Sequence, residues 1–174
     1  MDIVDKQFGF LKETLVAPIS RTSIIFGRTL GGATVAVVQG LLVFFITLLL
    51  GFKIVSISGL FLGLLFMILI ALFFTAFGTS LATFFNDMHA FPIIINMVVM
   101  PMFFLSGALF PLDGLPSYFS KLLAFNPLTY GVDGLRGSLI GVFHHSASFD
   151  IFVFGVAVVF ILFLGSKLFN KIEG

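Results

Sequence analysis

The sequence contains no cysteine, which excludes a disulfide framework, a thiolate metal site and a catalytic thiol. Charge is also scarce. Asp, Glu, Lys and Arg make up 10% of the 174 residues, and the formal net charge is +1. Soluble domains carry about 25% charged residues, and a nucleic-acid binder needs a strongly basic surface, so neither class fits. The N-terminus lacks the basic start and immediate apolar run of a secretory signal, because Asp2, Asp5, Lys6, Lys12 and Glu13 come before any such run. No G-x-x-x-x-G-K-[ST] loop is present to cradle ATP phosphates. His89, His144 and His145 belong to no H-E-x-x-H motif and have no carboxylate at ligand spacing along the chain. Ser106–Gly107 lacks the flanking pattern and the base of a nucleophile turn. The expectation is a chain with no catalytic, cofactor-binding or metal-ligating residue, and no enzyme activity of its own.

What is abundant is apolar. Hydrophobic residues are 59% of the chain and the mean hydropathy is +1.21. A membrane span needs about 20 apolar residues to cross roughly 30 Å of hydrocarbon. Four segments meet that length, at about 30–52, 57–85, 90–110 and 149–168. The fold class expected is therefore an all-α polytopic membrane protein with four transmembrane helices. Lys6, Lys12, Arg21 and Arg28 precede the first span, and Lys167 and Lys171 follow the last. That side holds six of the nine basic residues, so both termini are expected in the cytoplasm.

No ionisable residue lies mid-span, which argues against a proton- or sodium-coupled carrier and against a charged-ring channel. Gln39 and Asn96 are the polar candidates for lining a path, although an intramembrane amide more often bonds a neighbouring helix. Gly27-x-x-x-Gly31 and Gly59-x-x-x-Gly63 permit close helix approach without naming the partner helix. Pro101 removes a backbone hydrogen bond and predicts a kink in the third span. Asn86 or Asp87 is expected to cap that span at its start.

The connection between the last two spans, about 111–141, is long yet apolar. Pro111 to Pro116 ends a span, and a short helix over 117–125 is expected to follow. Asn126 is a good N-cap with Pro127 at the first helical position. The next helix sets Leu128, Val132, Leu135 and Leu139 on one face. Thr129, Asp133 and Arg136 lie on the other, the last two spaced to form an ion pair. Both helices are too short to cross, which suits an interfacial or re-entrant pair with Tyr118 and Tyr130 at boundary depth. His144 and His145 are expected in a solvated outer loop.

At the other end, residues 1–23 read as a cytoplasmic segment ahead of a transmembrane domain, 24–174. Phe8, Leu11 and Leu15 share one face of a short helix that exposes Lys12 and Glu13 and that Pro18 stops. Ser20 or Thr22 can cap the helix that follows. By pattern alone this helix could equally lie on lipid headgroups.

Two segments bear a resemblance. "FGFLKETLVAPISRTSIIFGRTLGG", Phe8 to Gly32, is similar to the coupling region and following span of the permeases of type-2 ABC exporters. "FFLSGALFPLDGLP" with "FNPLTYGVDGLRG", between Phe103 and Gly137, resembles the outer signature of the same family. The resemblance implies six spans, a coupling helix between spans two and three, and re-entrant helices before the last span. It also implies a dimer of permeases, an ABC ATP-binding subunit that carries the ATP, and lipid-linked, lipid or hydrophobic cargo. Phe8, Leu11, Glu13, Leu15, Pro18 and Arg21 would then touch the ATPase. Pro111, Pro116, Asn126, Pro127, Tyr130, Asp133 and Arg136 would shape the outer gate. The four spans here correspond to the family's last four, so the first two are expected from a longer reading frame or another polypeptide. Rival readings are a truncated, permease-like interaction subunit without transport of its own, and an energy-independent pore.

Overall fold

The computed structural model describes residues 21–82, 84–85, 90–109, 121 and 123–171. Every described element is helical. They are α1 (Arg21–Leu49), α2 (Ile57–Ala82), α3 (Ala90–Phe104), α4 (Pro127–Ile140) and α5 (Ala147–Lys171), with a further helical stretch at 123–125. Three of these helices are long and apolar enough to cross a membrane, over Phe26–Leu49, Ile57–Ala82 and Ala147–Lys167. This is a membrane protein.

The helix ends follow local chemistry. The Ser56 hydroxyl accepts from the Gly59 amide at 3.0 Å and so caps α2, which contains no charged residue along its 26 positions. α5 starts after Ser146, whose hydroxyl accepts from the Phe149 amide, and carries Asp150 in its first turn, where the helix dipole favours an anion. α3 is the exception among the apolar helices. Residues 90–110 were expected to span, yet the helix stops at Phe104 and gives way to a turn over 105–107. Its 15 residues reach only about 22 Å. The reason is local: Gly107 takes φ 76°, a left-handed conformation that ends helices and suits glycine. Pro101 lies inside α3, one turn before that end.

α2 is the hub, packed against α1, α4 and α5. Its buried positions include Gly59, Gly63, Phe66, Phe73 and Ser80, a helical recurrence of small and aromatic residues. Gly59 and Gly63 are backed by Ser138 and Leu139 of α4, so this small-residue pair works inside the chain. Gly27 and Gly31 have open space where a side chain would be, so the other pair faces away from the rest of the chain. α1 meets α2 at Gly32, beside Thr75, and at Gly40, beside Met67. The core proper joins Phe73 of α2, Tyr130 of α4, and Phe154 and Val158 of α5. α3 buries none of its residues.

Candidate functional site

α4 is the least apolar of the helices and the most enclosed. Asn126 adopts an extended conformation (φ −85°, ψ 109°), and its side-chain oxygen accepts from the Leu128 amide at 3.1 Å. Pro127 occupies the first turn, and Gly141, at φ 78°, closes the far end with its amide bonded to the Gly137 carbonyl. The N-cap expected from the sequence is therefore formed. The pattern gave two faces, and the structure buries the polar one. Thr129 and Asp133, on the face opposite the leucines, are 4% and 6% exposed, and Ser138 is buried with them. Glycines allow this depth. A methyl at Gly134 would fall on the ring of Phe66, and one at Gly131 would press on Phe154. Tyr130 sits in the core.

The polar side chains of this helix have a common task. A helix leaves its last carbonyls without intrahelical partners, and in lipid each unsatisfied group costs several kcal/mol. α3 ends early, and the region of α4 supplies the missing donors. The Asn126 amide nitrogen donates to the Met102 carbonyl at 2.7 Å. The Thr129 hydroxyl lies 3.1 Å from the Leu123 carbonyl and 3.4 Å from that of Leu105. Arg136 donates to the Gly107 carbonyl, and the Tyr130 hydroxyl to that of Ala124 at 3.1 Å. Asn126, Thr129 and Arg136 thus reach back to the broken helix and the turn after it, while Thr129 and Tyr130 hold the 123–125 stretch.

Asp133 has a different set of partners. The expected ion pair with Arg136 is not formed, because Arg136 is committed to Gly107. Asp133 Oδ1 accepts from the His144 amide at 2.9 Å and Oδ2 from the His145 amide at 2.8 Å, which folds the 141–146 loop back over α4. His144 is exposed, as a solvated loop predicts, but His145 is not free in solvent. Its ring packs against Tyr130 and Phe149, with centroids 5.5 and 5.7 Å away. Its Nδ1 lies 3.4 Å from Asp133 Oδ2 and 3.8 Å from Asp150 Oδ1. Asp150 is fully buried, and neither of its carboxylate oxygens has a hydrogen-bond partner. Sequence spacing missed this grouping, since positions 133, 145 and 150 sit on a helix, a loop and a second helix. A signal was present: two carboxylates and two histidines within 18 residues whose one further charge is Arg136. Beside it a cavity of about 130 Å³ is lined in part by Ser106, Asp133, Arg136 and His144.

The remaining site candidates are scattered. Gln39 on α1 and Asn96 on α3 both point out of the chain. Neither has a hydrogen-bond partner among the described residues, so the interhelical bonds expected of them are not made there. Phe8, Leu11, Glu13, Leu15 and Pro18 lie outside the described residues, as do Ser20, Asn86, Asp87, Pro111, Pro116 and Tyr118. Arg21 is the first residue of α1.

Residues 1–140 match the model of the family described as ABC-2 type transporter. The chain is 29% identical over 180 residues to a Cyanophora paradoxa protein named as a transport permease, ycf38, a match covering 98% of this chain and 62% of that protein. A Porphyra purpurea protein of the same name is 30% identical over 133 residues, covering 76% of this chain and 46% of its own length. The inner membrane transport permease YadH of Escherichia coli K12 is 28% identical over 152 residues, covering 87% of this chain and 57% of its own length. The chain thus spans about half to three-fifths of the length of these relatives. No solved structure gives a significant match. The family match takes in α1, α2, α3 and the capped, buried helix α4, and the chain belongs to the ABC-2 type transporter family.

Proposed function

We propose that this chain is permease machinery of an ATP-driven ABC exporter that moves a hydrophobic, lipid-like or lipid-linked substrate. ATP is bound and hydrolysed on a separate ABC ATP-binding subunit, and a second permease copy completes the path. The observation that carries the second-copy requirement is the scale of the interior. The cavity beside α4 is about 130 Å³, and one between α1, α2 and α4 is about 10 Å³. Sites for drug-sized ligands occupy roughly 300–1,000 Å³. Neither of these cavities among the described residues holds a lipid-like cargo, which favours a path between chains, and the outward faces of α1 and α3, with Gln39 and Asn96, are available to line it. α3, with the residues after it, acts as a fourth, broken span. α4 and the 123–125 stretch form a re-entrant wall at the outer exit. Both termini face the cytoplasm of a cell whose plasma membrane holds the protein.

Coupling to the ATPase falls to the segment around Phe8, Leu11, Glu13, Leu15, Pro18 and Arg21. In the assembled transporter, Leu11→Ala with Leu15→Ala should lower substrate-stimulated ATP hydrolysis, transport and co-purification of the ATPase together, with membrane insertion intact. Truncating an apolar anchor typically costs about 1–2 kcal/mol, roughly tenfold in affinity. Unchanged hydrolysis and unchanged co-purification would sink the coupling role. Topology has its own test. Cysteines placed at Asp2 and Gly174 should resist an impermeant thiol reagent in intact cells, while one at the exposed His144 should react.

A further inference from the structure

We propose that Asp133, His145 and Asp150 form a binding site for a divalent transition-metal cation, Zn²⁺ by ligand chemistry, that pins α4 and its following loop to α5. The three residues bring two carboxylates and one imidazole nitrogen together, with one donor atom from each lying within 4.8 Å of the other two. The inference rests on the fold alone and is independent of transport.

Four observations support it. First, Asp150 is fully buried with both oxygens unpartnered, and His145 Nδ1 is buried and unpartnered as well. An uncompensated carboxylate in such a place costs far more than a hydrogen bond returns. Second, the spacing suits coordination better than an ion pair. A protonated imidazole would draw a carboxylate oxygen to about 2.8 Å. Here Nδ1 stands 3.4 Å from Asp133 Oδ2 and 3.8 Å from Asp150 Oδ1. Ligands bound at about 2.0–2.2 Å to a tetrahedral zinc lie roughly 3.4 Å from one another. Third, the charges close: a dication neutralises the two carboxylates. Imidazole with carboxylate is a donor set that zinc accepts. Fourth, Asp133 is held in place by the His144 and His145 amides, the kind of outer hydrogen bonding that orients metal ligands. Asp133 also lines the cavity of about 130 Å³ beside α4, so one of the three ligands borders open space. The three ligands come from α4, the loop and α5, so one ion would lock three pieces of the fold.

The test uses the protein purified in detergent, stripped with a chelator, desalted and titrated with Zn²⁺ against a chromophoric competitor. Elemental analysis then counts retained metal. About one zinc per chain is expected, with a higher thermal midpoint in its presence. Co²⁺ in its place should show the intense visible absorption of a tetrahedral site. Asp150→Asn and His145→Gln should each weaken binding at least tenfold and abolish the zinc-dependent rise in midpoint. His144→Ala should leave both intact. Asp150→Asn is close to isosteric and removes the buried charge, so the metal-free variant should unfold no lower than the metal-free wild type. That check separates lost binding from lost folding, and His145→Gln repeats the test at the loop. Zinc retention by the wild type no greater than by Asp150→Asn would overturn the proposal, as would a midpoint indifferent to zinc.

Discussion

α1 and α4 reverse the arrangement familiar from soluble proteins. α1 is long and apolar, yet Val35, Val38, Leu42, Val43 and Phe45 along it are all more than half exposed. α4 is short and polar, yet Thr129, Asp133 and Ser138 on it are buried. In water the assignment would be the other way round, because apolar area is what solvent expels. In lipid the outer surface must be apolar, and polar groups must find partners inside the protein. The contrast therefore shows where order comes from. α1 is a helix because hydrocarbon leaves its backbone no alternative. α4 is held by specific contacts: a glycine under an aromatic ring, an amide on a carbonyl, a cap at each end. Single substitutions should be felt strongly in α4 and hardly at all on the outward face of α1.

The largest effect is expected where α4 is seated. At Gly134 an added methyl would occupy the space of the Phe66 ring, and that ring is fully buried with nowhere to go. Overpacking of this kind typically costs about 1–3 kcal/mol, and Gly134→Ala should sit at the upper end. Thermal or denaturant unfolding of the purified protein in mild detergent would measure it. Phe66→Leu should recover part of the loss when combined with Gly134→Ala, because it shortens the obstructing side chain. Gly31→Ala, with open space around it, is the control. Equal sensitivity at Gly134 and Gly31 would break the comparison.

Next come the carbonyls that the side chains of the α4 region satisfy. Asn126→Ala removes both the cap on Leu128 and the donor to Met102, and should cost about 2 kcal/mol. Tyr130→Phe removes only the donor to Ala124 and should cost about 1 kcal/mol. The same unfolding measurement ranks them. A loss at Asn126 no larger than at Tyr130 would mean that water, rather than the side chain, satisfies the Met102 carbonyl.

Much of this was legible in the sequence. Runs of apolar residues located α1, α2 and α5, because the length of hydrocarbon to be crossed is fixed and few residues interrupt them. Asn126–Pro127 announced the start of α4, because capping is a local reaction between adjacent residues. α3 was read as too long, since apolar composition continues past Phe104 while the helix ends with the left-handed turn at Gly107. The burial of α4's polar face was not legible, because a helical pattern defines two faces without saying which is buried. That choice depends on Gly59, Gly63 and Gly134, which admit a neighbour at close range, and on carbonyls far along the chain. Gln39 and Asn96 remain on outward surfaces, where pattern and a single chain are equally silent on what they meet.

The smallest expected effect sharpens the comparison most. Leu42→Ala together with Phe45→Ala removes apolar volume from the outward face of α1, where both residues are more than half exposed. In a soluble core such truncations cost several kcal/mol, because a cavity is left and transfer energy is lost. Against lipid neither penalty applies in full. Acyl chains fill the space, and they are as apolar as the side chains they replace, so no hydrophobic term favours the larger residue. The double variant should therefore change unfolding stability by no more than about 0.5 kcal/mol, the range typical of surface positions. Size-exclusion chromatography with light scattering, run in parallel, reports whether a second copy is present and whether the variant loses it. An unchanged midpoint with an unchanged assembly assigns this face to lipid. A loss above about 1 kcal/mol, appearing together with a shift towards single chains, would mean that another protein surface covers α1, with Gly27 and Gly31 as its closest points of approach.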